Sequence, residues 1–245
     1  MEISFETLAR VADFCLFASK SHGRGRYAIF NTALEEQFHA RRALLTELSG
    51  AIERSEIEIW LQPKILLENG TVYGFEALCR WSRAGKLVRP TDFIELAESS
   101  DAIVELDFNM MREACRLLAD WNAENQSSLT VSVNLSGLHF RSRAIVDRIA
   151  EALERSGLPP DRQTLEITET VHLVSWDDVG AILSDIRALG CSIAIDDFCS
   201  GYSSVAYLRA MSPDELKIDR SLISEIGAFP VSRYLLDSVI DLAHS

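Results

Sequence analysis

Apolar positions repeat with two different periods along the chain, and the change of period divides it. Leu8, Val11, Ala12, Cys15 and Leu16 follow helical spacing and predict a short helix over 8–20. Gly23-Arg24-Gly25-Arg26 breaks it, and residues 27–30 fit one strand. Residues 32–55 predict a long charged helix with Leu34, Phe38, Leu45, Leu48 and Ile52 as its stripe. The stripe is too short and irregular for a coiled coil, so the helix reads as a linker with one packed face. At Ile57 the pattern becomes strand-like. The run to Leu66, the turn pair Asn69-Gly70 and the run 71–81 predict an antiparallel hairpin.

Beyond the hairpin, strands and helices alternate. Helices are expected over 91–99, around Leu106, Met110, Ala114 and Leu118, over 144–156, after Ser175, over 203–211 and over 232–243. Strands are expected over 129–135, 164–168, 192–196 and 215–218. Such alternation predicts a parallel sheet with helical crossovers.

Strand side chains alternate between the two faces of a sheet. Val131, Val133 and Leu135 share one face, and Ser132 and Asn134 the other. Glu166 opposes Leu165 and Ile167, Asp196 opposes the isoleucines of its strand, and Lys217 opposes Leu216 and Ile218. In the hairpin, Glu76 and Arg80 oppose Phe75, Ala77 and Cys79. Parallel strands covered on both faces normally read as continuous apolar runs. A polar residue at the same place in five strands therefore predicts a polar lumen, as in a closed barrel with its site at the C-terminal rim.

The adjacent carboxylates Asp196-Asp197, taken alone, are an ordinary solvated turn. Together with Glu76, Asn134 and Glu166 they make an oxygen-rich set that suits a hard divalent cation. With Lys217 beside it, the set predicts two-metal phosphoryl transfer or hydrolysis. Composition narrows the substrate. The 245 residues are 47% hydrophobic, enough for a sizeable core, and carry a net charge of −13. That charge argues against a nucleic-acid groove or an anionic membrane surface. An anionic substrate would need metal ions or a few placed Arg and Lys residues. The five scattered cysteines, with no CxxC, point to a reducing, cytoplasmic compartment. No signal peptide and no apolar run of the ~20 residues that cross a bilayer is expected.

The motifs Gln62-Pro63, Glu76-Ala77-Leu78-Cys79-Arg80-Trp81, Asn134-Leu135-Ser136, Glu166-Ile167-Thr168-Glu169, Asp196-Asp197-Phe198 with Gly201-Tyr202-Ser203-Ser204, and Lys217-Ile218-Asp219 resemble the EAL domain in residue type and order. The resemblance covers 57–245. It implies an α/β fold: a TIM-like (β/α)8 barrel with one antiparallel strand. It also implies hydrolysis of cyclic di-GMP to linear pGpG with Mg2+ or Mn2+, in bacterial second-messenger signalling. Carried over, Glu76, Asn134, Glu166 and Asp196 hold one metal, and Asp197 serves the second. Lys217 holds the attacking water, and Glu169 braces the loop after Asp197. Gln62 and Arg80 contact the dinucleotide, Arg80 at a phosphate. The resemblance allows a homodimer through the EAL domain. Residues 1–31 resemble the C-terminal tail of a GGDEF domain without its signature loop, and 32–56 form the linker helix. Upstream GGDEF or sensor domains, and any membrane anchor, are expected in a parent protein.

Two departures qualify the resemblance. The loop after Asp197 reads Cys199-Ser200-Gly201 where the family usually has Gly-Thr-Gly, and a cysteine is strained there if the backbone needs positive φ. The chain also lacks the family's later glutamate and Gln-Gly motifs. Its six expected strands fall short of eight, so the barrel is expected to be incomplete at the C-terminus, with impaired turnover. The alternative is a non-catalytic module that binds cyclic di-GMP or a protein partner and signals through the linker helix.

Overall fold

The computed structural model describes residues 29–54, 56–83, 85–100, 102–168, 176–199, 211–226 and 229–244, with isolated positions elsewhere. The expected helix over 8–20 and the one over 203–211 fall largely outside the described residues. Tyr27, Ile29 and Phe30 lie outside any strand. Among the described residues, no helix is long and apolar enough to cross a membrane.

The first long helix, α1, runs Thr32–Glu53. Its Leu48 and Ala51 are buried in the main core. Glu47 accepts two hydrogen bonds from Arg83, at 2.5 and 2.7 Å. Residues 41–53 of the helix therefore pack one face, while the expected stripe positions Leu34 and Phe38 have side chains outside the described residues.

The hairpin is β1 (Ile57–Ile65) and β2 (Val72–Arg83). Gly70 takes φ +71°, and its N–H bonds the Leu66 carbonyl at 2.8 Å. Asn69 Oδ1 accepts from the Thr71 N–H at 3.0 Å. The loop is thus wider than the dipeptide alone implies. A short third strand, β3 (Lys86–Val88), pairs antiparallel with β2. Three residues behind the turn glycine Gly85 carry too little periodicity to be read from sequence.

Helix α2 (Pro90–Glu98) starts at a proline, whose fixed φ suits a first helical turn. Helix α3 spans Ala102–Asn125, and β4 spans Thr130–Leu135. Helix α4 (Ala144–Ser156) ends at Gly157, left-handed at φ 70°, where a Cβ would be strained. Then follow β5 (Gln163–Thr168), α5 (Trp176–Ala188), β6 (Ser192–Phe198), β7 (Glu215–Ile218), α6 (Arg220–Glu225) and α7 (Pro230–Ala243).

Hydrogen-bonded neighbours run β1-β2-β4-β5-β6-β7. Each strand from β2 onward is parallel to the next one on this path. Space order follows sequence order, so successive right-handed crossovers put the helices on one side and curl the sheet. The molecule has an α/β fold with a mostly parallel, barrel-type sheet. Its outer shell is apolar: Val131, Val133, Leu165, Ile167, Ile193 and Ile195 are all buried. The opposite face is polar, with Ser132 and Glu166 wholly buried. β1 and β7 end the hydrogen-bonded series. Lys64 of β1 reaches across to Glu215 of β7, with Nζ–O distances of 2.8 and 3.0 Å.

At Gly74, paired with Thr130, β2 leaves no room for a side chain against β4. A Cβ there would lie 2.1 Å from Thr130 Oγ1 and 2.7 Å from the Thr130 carbonyl oxygen. Gly74→Ala is expected to force these strands apart and to cost about 1–3 kcal/mol. A urea denaturation midpoint within error of the parent's would show that the contact relaxes freely.

Candidate active site

Parallel registers bring the polar residues together. Asn134 of β4 lies opposite Glu166 of β5, Thr168 of β5 opposite Asp196 of β6, and β7 brings Lys217 alongside. Ligand oxygens of Glu76, Glu166 and Asp196 all lie within 4.8 Å of one another. Asn134 Nδ2 donates to Glu76 Oε1 at 3.1 Å, which leaves its Oδ1 as the atom able to ligate a cation. Lys217 Nζ lies 3.1 Å from Glu76 Oε2 and 3.1 Å from Asp196 Oδ1, and it also donates to Glu166 Oε2.

Glu166 is the centre of this group. Its side chain is 0% exposed. Its Oε1 accepts no hydrogen bond and lies 4.0 Å from Lys64 Nζ. Burial raises the Glu166 pKa to about 7; Lys217 opposes the rise, and Glu76 and Asp196 add to it. Burial alone would lower the Lys217 pKa, but Glu166, Asp196 and Glu76 together hold it above the usual lysine value. A buried carboxylate oxygen without a hydrogen-bond donor is costly unless something positive meets it. The carboxylates of Glu76, Glu166 and Asp196, with the Asn134 amide beside them, fit a hard divalent cation such as Mg2+ or Mn2+.

Asp197 stands apart from the group of three. Adjacent strand residues point to opposite faces, and here the β6–β7 register is irregular between Ile195 and Phe198. Asp197 takes φ +52°, and its N–H bonds Asp196 Oδ1 at 3.0 Å. Its carboxyl faces Asp219. Burial first, then Asp196 and Asp219, raise its pKa. Asp219 also caps α6, accepting from the Ser221 N–H at 2.8 Å.

Arg80 lines a cavity of about 260 Å³ with Asn134, Ser136, Asp196 and Asp197. Its guanidinium lies 5.3 Å from the Trp60 ring centroid. The larger cavity, about 780 Å³, lies between β1, α3 and α4, away from the carboxylates. The smaller one is the cavity that adjoins the carboxylate group. Gln62 of β1 is exposed opposite Glu76, outside both the cavity lining and the carboxylate group. Glu169 and residues 201–204 lie outside the described residues.

Sequence reasoning missed three supports. Asp107 of α3 is buried and accepts from the Ser136 N–H at 2.8 Å, with His139 Nε2 at 3.0 Å. It thereby holds the segment that follows Asn134. Lys64 and Glu215 lie on the lumen side beneath Glu166, and Ser132 Oγ accepts from Lys64 Nζ at 3.1 Å. Face alternation marks Ser132, but nothing local marks a partner 151 residues away.

The backbone at Cys199 has φ +72°. The left-handed region costs a side-chain-bearing residue roughly 1–2 kcal/mol relative to its preferred basins. Cys199→Gly is expected to stabilise the folded chain by about 1 kcal/mol after the greater unfolded-state freedom of glycine is subtracted. A lowered melting temperature for the glycine variant would show that Cys199 contributes packing that outweighs the strain.

An α/β barrel-type sheet with acidic and amide oxygens converging on its polar side defines a class of metal-dependent barrel proteins. The EAL domain family model matches residues 45–245. The chain belongs to the EAL domain family. It is 34% identical over 235 residues to the bifunctional diguanylate cyclase/cyclic di-GMP phosphodiesterase MucR of Pseudomonas aeruginosa, covering 96% of this chain and 34% of that protein. It is 35% identical over 239 residues to the cyclic di-GMP phosphodiesterase NbdA of the same organism, covering 97% and 30%. The chain thus spans about a third of the length of these curated relatives. Among solved structures, the PaMucR phosphodiesterase in its c-di-GMP complex superposes with a TM-score of 0.76 at 36% identity, covering 82% of each chain. The EAL domain of Mycobacterium smegmatis DcpA gives 0.62 at 28% identity, covering 76% and 74%.

Proposed function

We propose that this chain is the phosphodiesterase part of a cyclic di-GMP signalling protein and opens cyclic di-GMP to linear pGpG. The observation that carries the reading is the meeting of Glu76, Glu166 and Asp196 within 4.8 Å beside Asn134 and Lys217. MucR and NbdA are named as cyclic di-GMP phosphodiesterases, and the PaMucR structure is a complex with the same dinucleotide.

Glu76, Asn134, Glu166 and Asp196 would hold one divalent ion, and Asp197 would serve a second. Such ions polarise a phosphoryl oxygen and lower the pKa of bound water. The chain supplies the rest. Arg80, on the cavity wall, is placed to pair with a phosphate of the dinucleotide, and Gln62 would contact it from β1. Lys217 donates to an oxygen at the reacting centre, which fits a role in holding the attacking water. Glu169 would brace the loop that follows Asp197. Pro90, Ile94 and Met110 give the same cavity an apolar wall. The α1 helix would connect this domain to upstream regulatory domains, with 1–31 as the end of a GGDEF-like unit.

A substrate panel tests the reading. Cyclic di-GMP, cyclic di-AMP, cyclic GMP and a linear dinucleotide are each incubated with the protein and Mn2+, then separated by chromatography. Selective loss of cyclic di-GMP with formation of pGpG is expected. Preferred cleavage of another substrate would replace the proposed one.

A further inference from the structure

We propose that Lys217 is the site's internal counter-cation: its ammonium holds the place among Glu76, Glu166 and Asp196 that a divalent ion takes, and the ion must displace it. This inference rests on the proposed metal site and adds a constraint on how that site loads.

The three side chains that share one possible ion position are the same three that Lys217 touches. One ammonium cannot satisfy the whole site. Among the described residues, the carboxylates Glu76, Glu166, Asp196 and Glu215 share the two lysines Lys64 and Lys217. Glu166 Oε1 still lacks a hydrogen bond. Lys64 is committed to Glu215 and Ser132, so Lys217 is the cation that can leave. Its side chain is 21% exposed against 0% for Glu166, and β7 sits at the end of the hydrogen-bonded series, where a long side chain has room to swing. A divalent ion brings twice the charge to the same oxygens. Displacement then moves the ammonium from the ligands to their flank, within reach of a reacting water. Lysine and ion thus compete for the carboxylates before they cooperate.

Mn2+ binding, followed by the electron paramagnetic resonance of the free ion, tests this without turnover. Lys217→Met is expected to bind Mn2+ about tenfold more tightly than the parent, or better, because a competing charge is gone. Lys217→Arg keeps the charge and is expected to stay within about threefold of the parent. Equal or weaker binding by Lys217→Met, or equally tight binding by both variants, overturns the inference and leaves the proposed function standing. Asp196→Asn must weaken binding in each background. If it does not, or if the parent binds no Mn2+, the metal site itself is wrong and both readings fall. Should Lys217→Met fail to fold without metal, the parent crystallised with Mn2+ decides. Nζ is expected beyond about 4 Å from at least two of the three carboxylates. Nζ still against all three with the ion bound overturns the inference.

Discussion

Replacing Glu166 with glutamine is expected to lower the rate of cyclic di-GMP hydrolysis by about 10³-fold or more while the chain stays folded. The two halves of this expectation have different causes. Glutamine keeps the shape of the side chain, so the packing under Leu165 and Ile167 survives. Burial already opposes charge on Glu166, so removing that charge does not add a desolvation penalty. What is lost is the anionic oxygen that faces the lumen without a hydrogen bond and the partner of Lys217. Activity should fall at every Mn2+ concentration, and the thermal midpoint in metal-free buffer should stay level or rise. Retention of more than about a tenth of the parent rate would remove Glu166 from the catalytic centre.

A second large effect, on stability, is expected from Lys64→Met. Lys64 joins the two ends of the strand series, and its side chain is 14% exposed against 34% for its partner Glu215. Loss of the lysine leaves Glu215 unpaired beneath Glu166, which lies 4.0 Å from the same ammonium. Breaking a fully buried pair costs about 3–5 kcal/mol. With Glu215 partly reached by water, about 2 kcal/mol is the expected loss. Adding Glu215→Met removes the stranded charge, and the double variant should recover half or more of the deficit. Denaturant unfolding of the two single variants and the double variant measures this coupling. If the two losses simply add, the contact carries no energy of its own.

Much of the site was legible because strand geometry has a period of two. Glu76, Asn134, Glu166, Asp196 and Lys217 each oppose apolar neighbours on their strands, and parallel registers turn that shared parity into one cluster. The strained position at Cys199 was also legible, from a cysteine standing where the EAL family usually has glycine, and its φ is indeed positive. Other features depend on geometry that parity does not carry. Asp197 follows Asp196 directly, and its place depends on one left-handed residue and a broken register. Asp107 reads as an ordinary helical acid, and only the packing of α3 on β4 reveals its bonds to Ser136 and His139. Lys64 and Glu215 meet across a lumen, so no local pattern joins them. The strand β3 is too short for any period.

Chromatography of cyclic di-GMP incubated with the protein, first with Mn2+ and then with a chelator in excess, tests the central claim most directly. The account predicts pGpG in the first case, none in the second, and return of product when Mn2+ is restored. Intact cyclic di-GMP in the presence of Mn2+, from protein that melts cooperatively and binds the dinucleotide, would contradict it and identify a binding module instead.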